Sequence, residues 1–152
     1  MTRGRMRRAF SPTLLDAVAT QVRASEQLHG GEIRVAIEAE LSTLALLKGQ
    51  SPRERAIEVF AALHVWDTQA RNGVLIYLCL ADRAVEIVAD RGFAGRVSAP
   101  EWSVICRQLE AACAARRYEV GVCEAVVTVG RLIGRHYPQA DRNEQDDRPV
   151  LL

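Results

Sequence analysis

From Ile33 the chain alternates: Ile33, Val35 and Ile37 are interleaved with Arg34, Ala36 and Glu38, the period-2 pattern of a half-exposed strand. Val74 to Leu80 is apolar at nearly every position, which predicts a central strand covered on both faces. In a third strand Val85, Ile87 and Ala89 alternate with Ala84, Glu86, Val88 and Asp90, so one of its faces is partly polar. With Asp82-Arg83 between the last two runs, the economical connection is a tight hairpin.

Helical spacing surrounds these strands. Ser11-Pro12 opens one helix, since serine accepts a hydrogen bond from an orphan backbone N–H and proline presets the helical φ; Leu14, Leu15, Val18, Val22 and Leu28 follow. Ser51-Pro52-Arg53-Glu54 reads as a capping box, with Ala56, Ile57, Phe60, Ala61 and His64 on one stripe. Ser98-Ala99-Pro100-Glu101 repeats the device, with Trp102, Ile105, Cys106, Leu109 and Cys113 facing inward. Tyr118 to His136 contains a strand-like Val126-Val127-Thr128-Val129, but its length predicts a helix. A helix between the first two strands implies a parallel crossover, and the hairpin adds an antiparallel member. The expected fold is α/β: a small mixed sheet with helices on both faces, in the order αβαββαα.

Length and charge narrow the picture. A chain of 152 residues, 49% hydrophobic and 26% charged, fits one soluble domain. That domain is expected over 11–138, between an Arg-rich flexible start (1–10) and a tail (139–152) whose mixed charge and lack of periodicity predict disorder. A net charge of +1 argues against a dedicated nucleic-acid binder, and no nucleic-acid partner is expected. Ala9-Phe10-Ser11-Pro12 stands where a secretory signal would need an apolar run, so a cytoplasmic location is expected. Val74 to Leu80 is far short of the roughly 20 residues that span a bilayer. Arg3, Arg5, Arg7 and Arg8 offer a peripheral contact with anionic lipid.

The polar motifs are sparse. Cys79, Cys106, Cys113 and Cys123 form no ligand cluster and read as reduced core thiols. His29, His64 and His136 lack ligand spacing and read as structural. No GxSxG, Walker A or Rossmann glycine pattern occurs.

Several short pieces in a fixed order carry a resemblance. They are Gly31-Glu32-Ile33, a helix ending near Trp66, Asn72-Gly73-Val74-Leu75-Ile76, the hairpin through Asp82-Arg83, Arg91-Gly92-Phe93, and the start of the last helix from Arg117-Tyr118 to Gly121. Over roughly Ser11 to Pro138 the chain resembles the TPM domain family, also called TPM phosphatases, and looks most like its short cytoplasmic-type members. The resemblance implies a three-layer α/β/α sandwich. It also implies one of several roles, since some relatives are described as acid phosphatases or calcium-binding and others as accessory factors of membrane complexes. Arg71 stands where many relatives have an acidic residue, and Ser98-Ala99-Pro100 replaces another.

The hairpin should bring Asn72-Gly73 and Asp90-Arg91-Gly92 to the same end of the sheet. Asp67, Asp90 and Glu101 are the candidate ligands for Ca²⁺ or Mg²⁺ there, with the Asn72 amide alongside. Arg91 could clamp an anion, and Trp66 and Trp102 would flank the cleft, favouring a protein partner. Against this, Asn72-Gly73 also reads as a turn tolerating positive φ, and Glu101 as the capping-box carboxylate. The leading expectation is a binding or accessory module for a membrane-associated complex. The alternative is a metal-assisted phosphomonoesterase in which Asp67 and Asp90 hold the ion.

Overall fold

In the computed structural model, which describes residues 2–139 and 144–152, α2 (Pro12–Glu26), β1 (Glu32–Glu38), α4 (Pro52–Ala62), β2 (Gly73–Cys79), β3 (Ala84–Ala89), α5 (Ala99–Ala114) and α6 (Tyr118–His136) follow the expected order αβαββαα. Four short elements join them: α1 (Arg3–Ala9), α3 (Thr43–Leu47), a single 3₁₀ turn (Arg91–Phe93) and an edge strand β4 (Val150–Leu151). The sheet order is β3-β2-β1-β4, with β1 parallel to both β2 and β4 and antiparallel pairing only between β2 and β3.

Every residue of β2 is buried. Val74, Ile76 and Leu78 join Ile33, Val35 and Ile37 of β1 and Val85 and Ile87 of β3 in a core closed by α2, α5 and α6. Leu75, Tyr77 and Cys79 face the other way, into a smaller core with Ala36, Val88, and Ala56 and Val59 of α4. The result is a three-layer α/β/α sandwich.

The helix starts follow their sequence signals. Ser11 accepts from the Leu14 N–H, and Ser51 and Glu54 complete a reciprocal capping box. Glu101 takes both the backbone N–H (2.8 Å) and the hydroxyl (3.0 Å) of Ser98. The interior stripes differ in detail. Leu28 lies beyond the end of α2 and is exposed. In α4 the residues facing the core are Ala56, Val59, Phe60 and Leu63, an i, i+3, i+4, i+7 row; Ile57 stands about 100° round the helix and is half exposed. The hairpin is also longer than the two residues expected. Cys79 and Ala84 are its last pair, and Leu80–Arg83 turn the chain with Arg83 at φ 51°. Asp-Arg does not suit the two-residue turns, which need left-handed backbone at one or both positions.

Both chain ends depart from expectation. Met1 lies outside the described residues, but the Arg-rich start forms α1, anchored by buried Met6 and Phe10, with Phe10 against the Tyr118 ring at 5.0 Å. Of the tail expected to be disordered, residues 140–143 lie outside the described set. The rest is strapped along the sheet edge: Val150 and Leu151 pair with Ala36 and Ile37, and the Leu152 N–H reaches the Ile37 carbonyl at 2.8 Å. Farther back, the Glu144 N–H donates to Glu32, Arg34 donates to the Asp146 carbonyl, and Arg148 pairs with Asp16. A two-residue strand has no periodicity to read, and its partner lies over a hundred residues upstream.

The strap covers a costly cluster of carboxylates. Glu32 and Asp147 are buried, and both oxygens of Glu26 and one of Glu32 have no donor within bonding geometry. Arg23 approaches Asp147 only to 3.9 Å. Burial first, then Glu32 and Asp147, pushes the Glu26 carboxyl far above its ordinary 4.5, so it is protonated in the fold and supplies the missing hydrogen. The unfolded chain ionises Glu26 above about pH 4.5, so the contribution of Glu26 to stability is fully present below that value and is lost as pH rises. Melting temperature measured from pH 7 to 9, above the range in which the unfolded chain protonates His29, should therefore fall with pH in the wild type. Glu26→Gln should melt higher at pH 8 and show a flatter profile, and an unchanged slope would refute the assignment.

Candidate functional site

The predicted meeting of the two hairpin ends occurs. The Asp90 N–H closes the ladder on the Gly73 carbonyl at 2.9 Å, and the Gly92 N–H reaches the Arg71 carbonyl at 2.8 Å. Asn72, almost wholly buried, donates from Nδ2 to the Gly30 carbonyl (2.8 Å) and from its backbone to Thr68 Oγ1 (3.1 Å), while its carbonyl accepts from the Glu32 N–H. It fastens the loop before β2 to the start of β1. Its Oδ1 is buried without a donor. Asp90 presents a similar asymmetry: Oδ1 accepts from the Arg91 N–H at 2.7 Å, whereas Oδ2 is buried and unpartnered.

The glycines are explained by crowding and not by turn geometry. Neither Asn72 nor Gly73 has positive φ; Arg71 takes that conformation instead, at φ 53°. A Cβ on Gly73 would lie 2.2 Å from the Val65 carbonyl oxygen. On Gly92 it would meet the Arg71 carbonyl at 2.5 Å and the Tyr137 hydroxyl at 2.6 Å.

Tyr137 is the residue the pattern did not flag. It follows the end of α6, where an isolated aromatic carries no periodic signal, and its hydroxyl donates to the Gly92 carbonyl at 2.7 Å. Its ring packs edge-on against Phe93 (5.4 Å), Phe93 packs likewise on Trp102 (5.8 Å), and Arg96 lies over the Tyr137 ring. Tyr137, His136 and Pro138 line a cleft of about 440 Å³ with Gly30, Ala70 and Asn72.

The other candidates separate. Trp102 backs the aromatic row, but Trp66 is half exposed and engages His64 and the Ala61 carbonyl. Arg91 is exposed and makes no ion pair among the described residues. The Glu101 carboxylate is held by Ser98, which lowers its pKa, and faces Arg135 at 3.8 Å. Asp67 is exposed. Among the described residues no three His, Cys, Asp or Glu side chains converge as a metal site, so Asp67, Asp90 and Glu101 do not form a triad. At this strand end the acceptors left without a donor are Asp90 Oδ2 and Asn72 Oδ1.

Burial holds the thiols and the imidazole of His29 in their neutral forms. All four cysteines are free, and burial pushes Cys106 and Cys113 up to about 11, leaving neutral thiols. His29 accepts from the Gly31 N–H at Nδ1 and meets Ser25 Oγ at 3.0 Å through Nε2, and burial lowers its pKa to about 4.

A mixed sheet between two helical layers, with a small cleft at one strand end, defines an α/β sandwich domain. No helix among the described residues is long and apolar enough to cross a membrane. A family model described as the TPM domain matches residues 6–132, and the chain belongs to that family. The BA42 protein of the psychrophilic bacterium Bizionia argentinensis is similar in fold, with a TM-score of 0.80 at 23% identity over 93% of this chain and 94% of that one. The N-terminal domain of a P. gingivalis protein gives 0.68 at 17% identity, covering 88% and 82%. No curated protein sequence matches.

The crowding around Gly92 is directly testable. Gly92→Ala should destabilise the fold by about 1–3 kcal/mol, because backbone oxygens cannot withdraw as a flexible side chain would. Tyr137→Phe, which loses one hydrogen bond, should cost about 1 kcal/mol. Urea unfolding of the two variants would show this order or its reverse.

Proposed function

We propose that the protein is a cytoplasmic binding module serving the assembly or maintenance of a membrane-associated complex, and that it takes a protein partner on α3. One observation carries the reading. Leu44, Leu46 and Leu47 are 61%, 58% and 80% exposed on a helix with no buried residue. Contiguous apolar surface of this kind marks an interaction site more often than scattered single leucines do. Of the basic residues that follow, Arg53 and Arg55 are held by Glu86 and Glu38 and Lys48 is one exposed charge at the end of the helix, which favours a protein over an anionic lipid at this patch. The exposed arginines of α1 supply a separate contact with a lipid surface, each worth roughly 1 kcal/mol. Replacing Leu44, Leu46 and Leu47 together by Ser should leave the melting temperature unchanged. In a pull-down from a membrane extract, the proteins recovered by the wild type should fall by about tenfold or more. Equal recovery by the triple variant would sink the reading.

A second reading rests on the unpartnered Asp90 Oδ2 and Asn72 Oδ1. These two oxygens would hold Ca²⁺ or Mg²⁺, and Arg91 would clamp the phosphate of a monoester beside it. Calorimetric titration with each cation, together with hydrolysis of a chromogenic phosphate ester, should show binding and turnover in the wild type that Asp90→Ala removes. Silence of the wild type in both assays excludes this alternative.

A further inference from the structure

A second cavity lies at the opposite end of the sheet. Parallel strands β1 and β2 finish at Glu38 and Cys79, and the Leu80 and Ala81 N–H groups continue their ladder onto the Glu38 and Ala39 carbonyls. In open α/β sheets, ligands bind outside the carboxyl ends of such strands. Here a cavity of about 400 Å³ opens between the hairpin and the α5–α6 junction, within the size range of small-molecule sites. Leu78, Leu80, Val85, Cys113 and Tyr118 form its apolar wall, and burial keeps the Cys113 thiol neutral.

Two arginines, Arg83 and Arg116, line the same cavity. Both are exposed, and neither makes an ion pair or side-chain hydrogen bond among the described residues. Glu110, the acid in the lining, is engaged: it accepts the Val85 N–H at 3.2 Å and lies 3.5 Å from Arg107. The cavity therefore offers an apolar body and two uncommitted cations.

Both arginines also occupy positions where glycine is easier. Arg116 has φ 59° just past the cap of α5, where its N–H reaches the Cys113 carbonyl and the Arg117 N–H reaches that of Ala112. The end of α3 makes the same pair of bonds with Gly49 at φ 67°. Arg83 sits at φ 51° in the hairpin. Strain alone does not single them out, since His64 and Arg71 share it. What distinguishes Arg83 and Arg116 is the cavity between them.

We infer that this cavity binds a small organic anion, its carboxylate on Arg83 and Arg116 and its aliphatic body against Leu78, Leu80, Val85 and Tyr118. The site is independent of α3 and of the cleft lined by Asn72 and Tyr137.

The backbone supplies a clean test. Arg83→Gly and Arg116→Gly remove a guanidinium while relieving left-handed strain, so both variants should fold at least as stably as the wild type. The probe is sodium octanoate, followed by calorimetry and by methyl resonances of Leu78, Leu80 and Val85; 1-octanol supplies the uncharged body and inorganic phosphate the bare charge. Octanoate should bind the wild type and shift those resonances, and either variant should weaken it by about tenfold or more. The double variant should lose it. Absence of octanoate binding, equal affinity in the double variant, or equal affinity for octanol or phosphate would each overturn the assignment.

Discussion

The structure depends on the complete burial of β2. With seven consecutive residues out of water, the strand's N–H and C=O groups have no solvent to pair with, so a neighbour is obligatory on each side. β3 fills one side through the shortest available connection. The other falls to β1, whose parallel direction forces the chain to cross over through α4 and thereby covers the second face. The remaining edge of β1 is then closed by two residues of the C-terminal strap.

That arrangement sorts polar groups by the ends of the sheet. At the amino end of β2, Asn72 and Asp90 are drawn inward with one oxygen each left over, and Tyr137 closes on Gly92. Toward the carboxyl end, Glu38 is fully employed: it accepts the Tyr77 hydroxyl at 2.7 Å and both arms of Arg55 at 2.9 and 3.1 Å. This bidentate pair fastens α4 to the sheet and raises the pKa of both Arg55 and Tyr77, chiefly through the Glu38 bond for the first and burial for the second. The Glu26–Glu32–Asp147 group is its opposite, a set of acceptors brought together by chain tracing, in which the Glu26 oxygens and one of Glu32 find no donor but the proton that burial keeps on Glu26. One buried acid is satisfied by donors and the other imposes a cost that grows with pH.

Much of the candidate site was legible, and the part that was not has a consistent cause. The proximity of Asn72-Gly73 and Asp90-Arg91-Gly92 follows from hairpin topology, because antiparallel partners bring the start of one strand beside the end of the next. The reasons for the two glycines were not legible, since they lie in the Val65 carbonyl for Gly73 and in the Arg71 carbonyl and Tyr137 hydroxyl for Gly92, none of them a sequence neighbour. Glu101 illustrates the limit from the other side: the same Ser-x-x-Glu spacing served as a cap signal and a ligand candidate, and the hydrogen bonds to Ser98 decide for the cap.

What the sequence determined by itself is local and periodic. Capping serines, alternating strands and the all-apolar run from Val74 to Leu80 specify the element order and the two-faced sheet, because each signal is written within one element's own residues. The tertiary structure alone decided where unpatterned residues go: α1 on the core through Met6 and Phe10, α3 left with its leucines in water, Tyr137 over Gly92, and Val150–Leu151 on the edge of β1. The physical reason is that such placements depend on surfaces assembled from distant parts of the chain, which exist only once β2 has been buried.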